Sequence, residues 1–205
     1  MSSAVSSSVA AAGGAIIKGP AVFAAGHPLP LLFLDLDGVI VDFDAGVIAA
    51  GVEPAPFSAP SRSRSAMWQA LARVPAFFSR LPWMEGGAEL WRLAEPYQPT
   101  IVTGLPLGEW AAPQKRVWCA RELGAHVRVI TCMAREKAHF AGEVVGGVLG
   151  SNLDGAVLVD DNADARVPWE AAGGRFIHHT DIARTLRELR AVGFGASCDL
   201  GAGAR

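Results

Sequence analysis

The chain has 205 residues, 51% of them apolar and 19% charged, with a formal net charge of −2. That length suits one full domain with a small insertion and excludes two large domains. The balance carries no basic excess to favour polymeric nucleic acid or an anionic membrane surface, and no apolar run reaches the roughly 18 residues needed to span a bilayer.

Residues 1–28 are rich in Ala, Ser and Gly, contain no Asp or Glu, and hold one lysine, Lys18. They read as a flexible leader. Organellar targeting is the weaker reading, because a transit peptide would carry several arginines. Residues 31–34 form the first apolar run of strand length. From residue 42 to 84 the pattern changes: helical stretches over 42–50 and 65–73 flank a loop marked by Pro54, Pro56, Pro60 and several serines. This span is far longer than a simple crossover needs, so it reads as a small, mostly helical cap inserted after the first strand. Residues 86–95 then place Leu90, Leu93 and Ala94 at helical spacing. Strand-like runs follow at 100–102, 127–130, 156–159 and, more weakly, 175–177. A helix over 113–123 begins near Pro113 and stops at Gly124. The interval from Lys137 to Asp161 is long, and its stretch of Gly146, Gly147, Gly150 and Asn152 reads as a loop with its own role or as slack. Short helices over 167–172 and 181–191 close the pattern, and residues 196–205 read as a flexible tail.

Continuous apolar runs alternating with helices predict a doubly wound, Rossmann-like α/β domain with a parallel sheet. Its core comprises residues 29–41 and 85–195. The three cysteines, Cys119, Cys132 and Cys198, show no metal-like spacing and fit reduced thiols in a cytoplasmic setting. His178 and His179 lack a third ligand at metal spacing and read as structural or surface residues.

The chemistry sits just past the strand ends, where open parallel sheets bind ligands. Asp35 and Asp37 follow the first strand, with Gly38 allowing a sharp turn. Asp160 and Asp161 follow the fourth. Paired acids at the end of an apolar run are costly unless a cation holds them, and together they suit Mg²⁺. Thr103 and Gly104 end the second strand and can offer donors to a phosphate. Lys137 follows the third strand, with Arg135 two residues earlier, and can neutralise phosphate oxygens.

Four such signals in order resemble a known superfamily. The stretch Phe33-Leu34-Asp35-Leu36-Asp37-Gly38-Val39 looks like the first motif of the haloacid dehalogenase-like (HAD) phosphatases, and Thr103, Lys137 and Asp160-Asp161 match the other three. The resemblance implies that Asp35 is a nucleophile that is transiently phosphorylated, and that Asp37 is the acid/base group. It further implies that Mg²⁺ is held by Asp35, the Asp37 carbonyl and Asp161, with Asp160 behind them. The stretch from Asp35 to Gly46, the run Phe77-Phe78-Ser79-Arg80-Leu81-Pro82, the segment Ala134-Arg135-Glu136-Lys137 and Lys115-Arg116-Val117-Trp118 are similar to the 5′(3′)-deoxyribonucleotidases. That narrower resemblance implies a nucleoside 5′-monophosphate substrate, with Phe43, Phe77 and Phe78 forming an apolar slot for the base. A sugar phosphate or other small phosphorylated metabolite is the alternative substrate, and a noncatalytic binding module the alternative function. The oligomeric state is not encoded in any of these features.

Overall fold

A computed structural model describes residues 31–55, 60–146 and 153–195. The expected leader and tail, Cys198, and Gly147, Gly150 and Asn152 of the expected loop lie outside these described residues.

Five strands, β1 (Leu32–Leu34), β2 (Thr100–Gly104), β3 (Val129–Cys132), β4 (Val157–Asp160) and β5 (Arg175–His178), form one parallel sheet in the order β3-β2-β1-β4-β5. β1 is central: Leu34 pairs with Ile101 of β2 on one side and with Val159 of β4 on the other. The strand order reverses at β1, which opens a crevice at its C-terminal end. The predicted fold class is the observed one.

The strands are apolar throughout because both faces are covered. Leu32, Leu34, Ile101, Val157, Val159 and Ile177 belong to one core cluster, with Trp91, Trp118 and Leu186 from flanking helices. Phe33, Val102, Leu158 and Phe176 belong to the other, with Ala141 and Trp169. The alternation is the two-residue period of a strand. Each such side chain, fully buried, contributes about 1.5–3 kcal/mol.

Seven helices accompany the sheet among the described residues: α1 (Phe43–Ala49), α2 (Ser61–Leu71), α3 (Gly87–Ala94), α4 (Ala111–Glu122), α5 (Lys137–Gly146), α6 (Arg166–Ala171) and α7 (Ile182–Ala191). Asp42 caps α1 by accepting from the Ala45 N–H at 2.8 Å, and Asp181 caps α7 by accepting from the Arg184 N–H at 2.8 Å. Three local expectations change. α2 starts at Ser61 instead of residue 65, directly after Pro60, so the serines read as loop form its first turn. β3 lies over Val129–Cys132 instead of 127–130, because the ladder with β2 sets its register at Ile101↔Val129 and Gly104↔Cys132. The stretch after Lys137, for which the sequence pattern sets out no helix, opens with helix α5. Its glycines weaken intrinsic helix propensity, but Ala138, Phe140, Ala141, Val144 and Val145 pack in the second core cluster, and that packing prevails.

The segment between β1 and β2 carries α1, α2 and a 3₁₀ turn at Phe78–Arg80. It leaves and rejoins the core at one place. Val41 forms an antiparallel bridge with Trp83, the Asp42 N–H donates to the Pro82 carbonyl at 3.0 Å, and the Met84 N–H donates to the Ile40 carbonyl at 2.8 Å. α1 lies so near the returning chain that a Cβ at Gly46 would run into the Leu81 side chain. Among the described residues no helix is long and apolar enough to cross a membrane.

Candidate active site

The C-terminal ends of β1, β2 and β4, with the first turn of α5, converge on one cluster of charge. Asp35 continues β1, its N–H donating to the Val159 carbonyl at 2.9 Å. The chain then turns through Gly38, whose φ is +73°, a conformation that glycine adopts without strain. A Cβ at Gly38 would also collide with the Asp161 carboxylate, so the glycine is what lets the two acidic loops approach. One oxygen from each of Asp35, Asp160 and Asp161 lies within 4.8 Å of the others.

Two lysines enter this cluster. Lys137 Nζ lies 2.7 Å from Asp160 Oδ2 and 3.0 Å from Asp35 Oδ2, all three side chains being buried. Lys115 Nζ lies 2.5 Å from Asp37 Oδ2 and donates to Thr103 Oγ1 at 2.8 Å and to the Gly104 carbonyl at 2.7 Å. The sequence places Lys115 within the helix over 113–123 and in a segment similar to the deoxyribonucleotidases, and assigns it no role in the site. The signal that marks it is its place on α4, whose buried residues are Ala111, Lys115, Trp118 and Cys119. The spacing i, i+4, i+7, i+8 is an apolar stripe, and a lysine on that stripe is the anomaly.

Four carboxylates therefore meet two ammonium groups, an excess of two negative charges in a buried place. Asp35 Oδ1 and Asp37 Oδ1 are buried without a hydrogen-bond partner among the described residues. An unpartnered carboxylate oxygen beside surplus negative charge is the donor set a hard divalent cation requires. Mg²⁺ fits it: Asp35 and Asp161 would be its carboxylate ligands, while Asp160 is tied to Lys137.

The acids register the surplus. Burial, together with the nearby Asp35 charge, pushes the Asp160 carboxyl up to about 7; burial, Asp35 and Asp160 push Asp161 up to about 8. Burial also raises Asp37; Lys115 pulls it down and Asp35 pushes it up. For Lys137, burial works against the charge, but Asp35 and Asp160 outweigh it and hold the ammonium above the ordinary lysine range. Carboxyls raised from 3.8 in the folded state bind more protons there than in the unfolded chain, so without metal this cluster costs stability as pH climbs from about 4 to about 8. A divalent cation replaces those protons. The rise in melting temperature on adding Mg²⁺ is expected to be small at pH ~5 and to grow toward pH ~8, at about 2–4 °C per kcal/mol of binding. An increment that stays flat across that range would count against a cation on these acids.

Next to the cluster lies a cavity of about 440 Å³, with Asp35, Asp37, Lys137 and Asp161 at one end. Phe43, Met67, Trp68 and Arg64 line the remainder. Arg64, Met67 and Trp68 reach it from α2, at the i, i+3, i+4 spacing of one helix face. Of the three aromatics expected in the slot, only Phe43 lines the cavity. Phe77 and Phe78 are buried behind it, packed at 5.8 and 6.2 Å between ring centroids. Trp68, a residue to which the sequence assigns no site role, lines it instead, 5.4 Å from Phe43. Gly104 lines the cavity, and Thr103 is fully buried beneath it. Arg135 is exposed, 3.8 Å from Glu136, and does not line the cavity.

The two histidines stay out of any ligand set. His178 Nε2 donates to the Asp161 carbonyl at 3.0 Å, and His179 Nδ1 pairs with Thr185 Oγ1 at 2.8 Å. Cys132 and Cys119 are free and buried, and burial pushes their thiols up to about 11 and about 12.

These features define an open, doubly wound parallel sheet with an acidic site at the carboxyl end of its central strand. No family model and no curated protein matches the chain. Solved structures do match it. A haloacid dehalogenase-like family hydrolase from Streptococcus pneumoniae aligns with a TM-score of 0.51 at 15% identity, over 78% of this chain and 90% of that one. A HAD-hydrolase from Bacillus subtilis, bound to magnesium, aligns with a TM-score of 0.50 at 12% identity, over 80% and 98%. An L-2-haloacid dehalogenase from Xanthobacter autotrophicus gives 0.49 at 13% identity, over 80% and 83%. The fold of this chain is the one shared with the first two hydrolases.

Proposed function

We propose that the chain is a Mg²⁺-dependent phosphomonoester hydrolase that works through a phosphorylated Asp35, with nucleoside 5′-monophosphates as its substrates. The observation that carries the phosphatase reading is the surplus of carboxylate over ammonium around a buried, half-unpartnered Asp35. A site for anion displacement alone would need no such surplus. A divalent cation held by Asp35, Asp161 and the Asp37 carbonyl would offset charge on a phosphoryl group there.

The residues divide the work by position. Asp35 attacks phosphorus and forms an acyl phosphate, splitting hydrolysis into two easier steps. Lys137, 3.0 Å from Asp35, neutralises charge beside the nucleophile. The Asp37 carboxyl, raised by burial, gives a proton to the leaving oxygen. In the second step it accepts a proton from the water that attacks the acyl phosphate. Thr103 Oγ1 accepts from Lys115 and, fully buried, fixes the end of β2, so that Gly104 beside it reaches the cavity wall.

The inserted segment acts as the substrate-selecting cap. Its contribution to the cavity is mostly aromatic and apolar, from Phe43, Ala55, Met67 and Trp68, with Asp42, Asp44 and Arg64 as polar groups that can pair with ring donors and acceptors. A flat base suits such a wall better than a hydroxyl-covered sugar, whose polar groups would lack partners. The test is a panel of nucleoside 5′-monophosphates, sugar phosphates and acetyl phosphate with Mg²⁺, and again with EDTA. Wild type is expected to favour nucleotides and to lose all turnover with EDTA. Trp68→Ala is expected to raise KM for nucleotides about tenfold, the cost of one lost base stack, and to leave acetyl phosphate unaffected. Sugar phosphates turned over as well as nucleotides would remove the nucleotidase reading; no phosphatase activity at all would remove the catalytic one.

A further inference from the structure

We propose that Lys115 is a positioning residue that acts through Asp37, holding that carboxyl at the angle from which it serves the leaving group without itself touching substrate. The inference rests on the phosphatase reading above.

An alkyl ammonium has three protons. Those of Lys115 are taken by Asp37 Oδ2 at 2.5 Å, the Gly104 carbonyl at 2.7 Å and Thr103 Oγ1 at 2.8 Å. None is left for a phosphate oxygen. The ammonium is also screened: it sits 4.7 Å from the centroid of the Phe78 ring, and Lys115 is only 1% exposed. Phe78 is fixed in turn, its N–H donating at 2.9 Å to Gln114 Oε1, the residue before Lys115. Lys115 does not line the cavity, whereas Lys137 does. The two lysines therefore differ in kind, one facing the reaction and the other tying two loops together behind it.

Those loops carry Asp37, after β1, and Thr103, at the end of β2. Asp37 is anchored through one oxygen only, while its Oδ1 has no hydrogen-bond partner among the described residues. Without the anchor, its χ1 is free to choose among three staggered wells. A methionine on the α4 stripe would fill the same volume with no ammonium to desolvate, so packing alone does not explain a lysine there.

The experiment uses the full chain with Mg²⁺ and the variants Lys115→Met and Lys115→Arg. Turnover is measured on aryl phosphates whose leaving phenols run from weakly to strongly basic, and crystal structures of both variants give the Asp37 rotamer. In Lys115→Met, kcat for the poorest leaving group is expected to fall about 100-fold, within the range attributed to general acid catalysis, while the best leaving group loses less than about fivefold. KM should barely change, and Asp37 should leave its wild-type rotamer. Lys115→Arg, which keeps the charge, should show a smaller loss with the same leaving-group dependence; if Lys115→Met does not fold, the comparison is read on Lys115→Arg. Equal losses across the series, or an Asp37 rotamer unchanged in the variant, would overturn the proposal. If wild type hydrolyses none of these esters, the phosphatase reading falls, and the rotamer alone then decides whether Lys115 positions Asp37.

Discussion

Asp35→Asn is expected to lower phosphatase turnover at least about a thousandfold, on the order of 4 kcal/mol of barrier. The amide keeps the shape of the carboxylate at the end of β1 but removes both the nucleophilic charge and a cation ligand. The change also removes one of the repulsions that raise Asp160 and Asp161. The variant should therefore be at least as stable as wild type in metal-free buffer at pH ~8, even though it is inactive. Loss of activity with stability retained or gained separates a chemical role from a folding role. A variant retaining a tenth of wild-type turnover would remove Asp35 as nucleophile.

Lys137→Met is expected to cost both stability and rate. Its ammonium is the only cation within ion-pair distance of buried Asp35 and Asp160 among the described residues. Breaking a buried pair by removing one partner typically costs about 3–5 kcal/mol, because the other charge is left uncompensated. The loss should grow toward pH ~8, as Asp160 and Asp161 begin to give up their protons, and be smaller at pH ~5, where protonation relieves the repulsion. Mg²⁺ should recover part of it. Turnover should drop by about 100-fold or more even in saturating Mg²⁺, as for the loss of one preorganised donor. Urea melts at the two pH values, with and without Mg²⁺, measure the first effect. A stability that does not change with pH in the variant would take the buried Asp35–Lys137–Asp160 triad out of the account.

The strands were legible because a sheet covered on both faces demands uninterrupted apolar runs, and acids directly after such a run have no ordinary reason to be there. Asp35, Asp37, Asp160 and Asp161 announced themselves by that contrast. Lys115 did not, because a lysine in a helix is usually solvated, and only its alignment with Ala111, Trp118 and Cys119 marks it as buried. Helix α5 was obscured by glycines whose poor propensity is outweighed by packing in the second core, a tertiary effect no local window contains. Trp68 lines the cavity where Phe78 was expected, for a similar reason. Both are aromatics of the insertion, and which faces the cavity depends on how α2 and the returning chain lie over the sheet.

The Val41–Trp83 bridge, with the two hydrogen bonds beside it, joins the outgoing and returning chains of the insertion at its base. A loop whose ends already touch can change length at little entropic expense, since closure cost grows only with the logarithm of length. The sheet and its acids thus form a chassis, to which the returning run 77–81 belongs through its contacts with α4, and the segment ahead of that run behaves as a module plugged into one socket. Substrate range can drift by swapping or trimming that module while the folding problem of the chassis stays solved. On the phosphatase reading proposed above, an engineer seeking a new ester specificity would graft there first, keeping the Val41–Trp83 bridge and the run 77–81 in place.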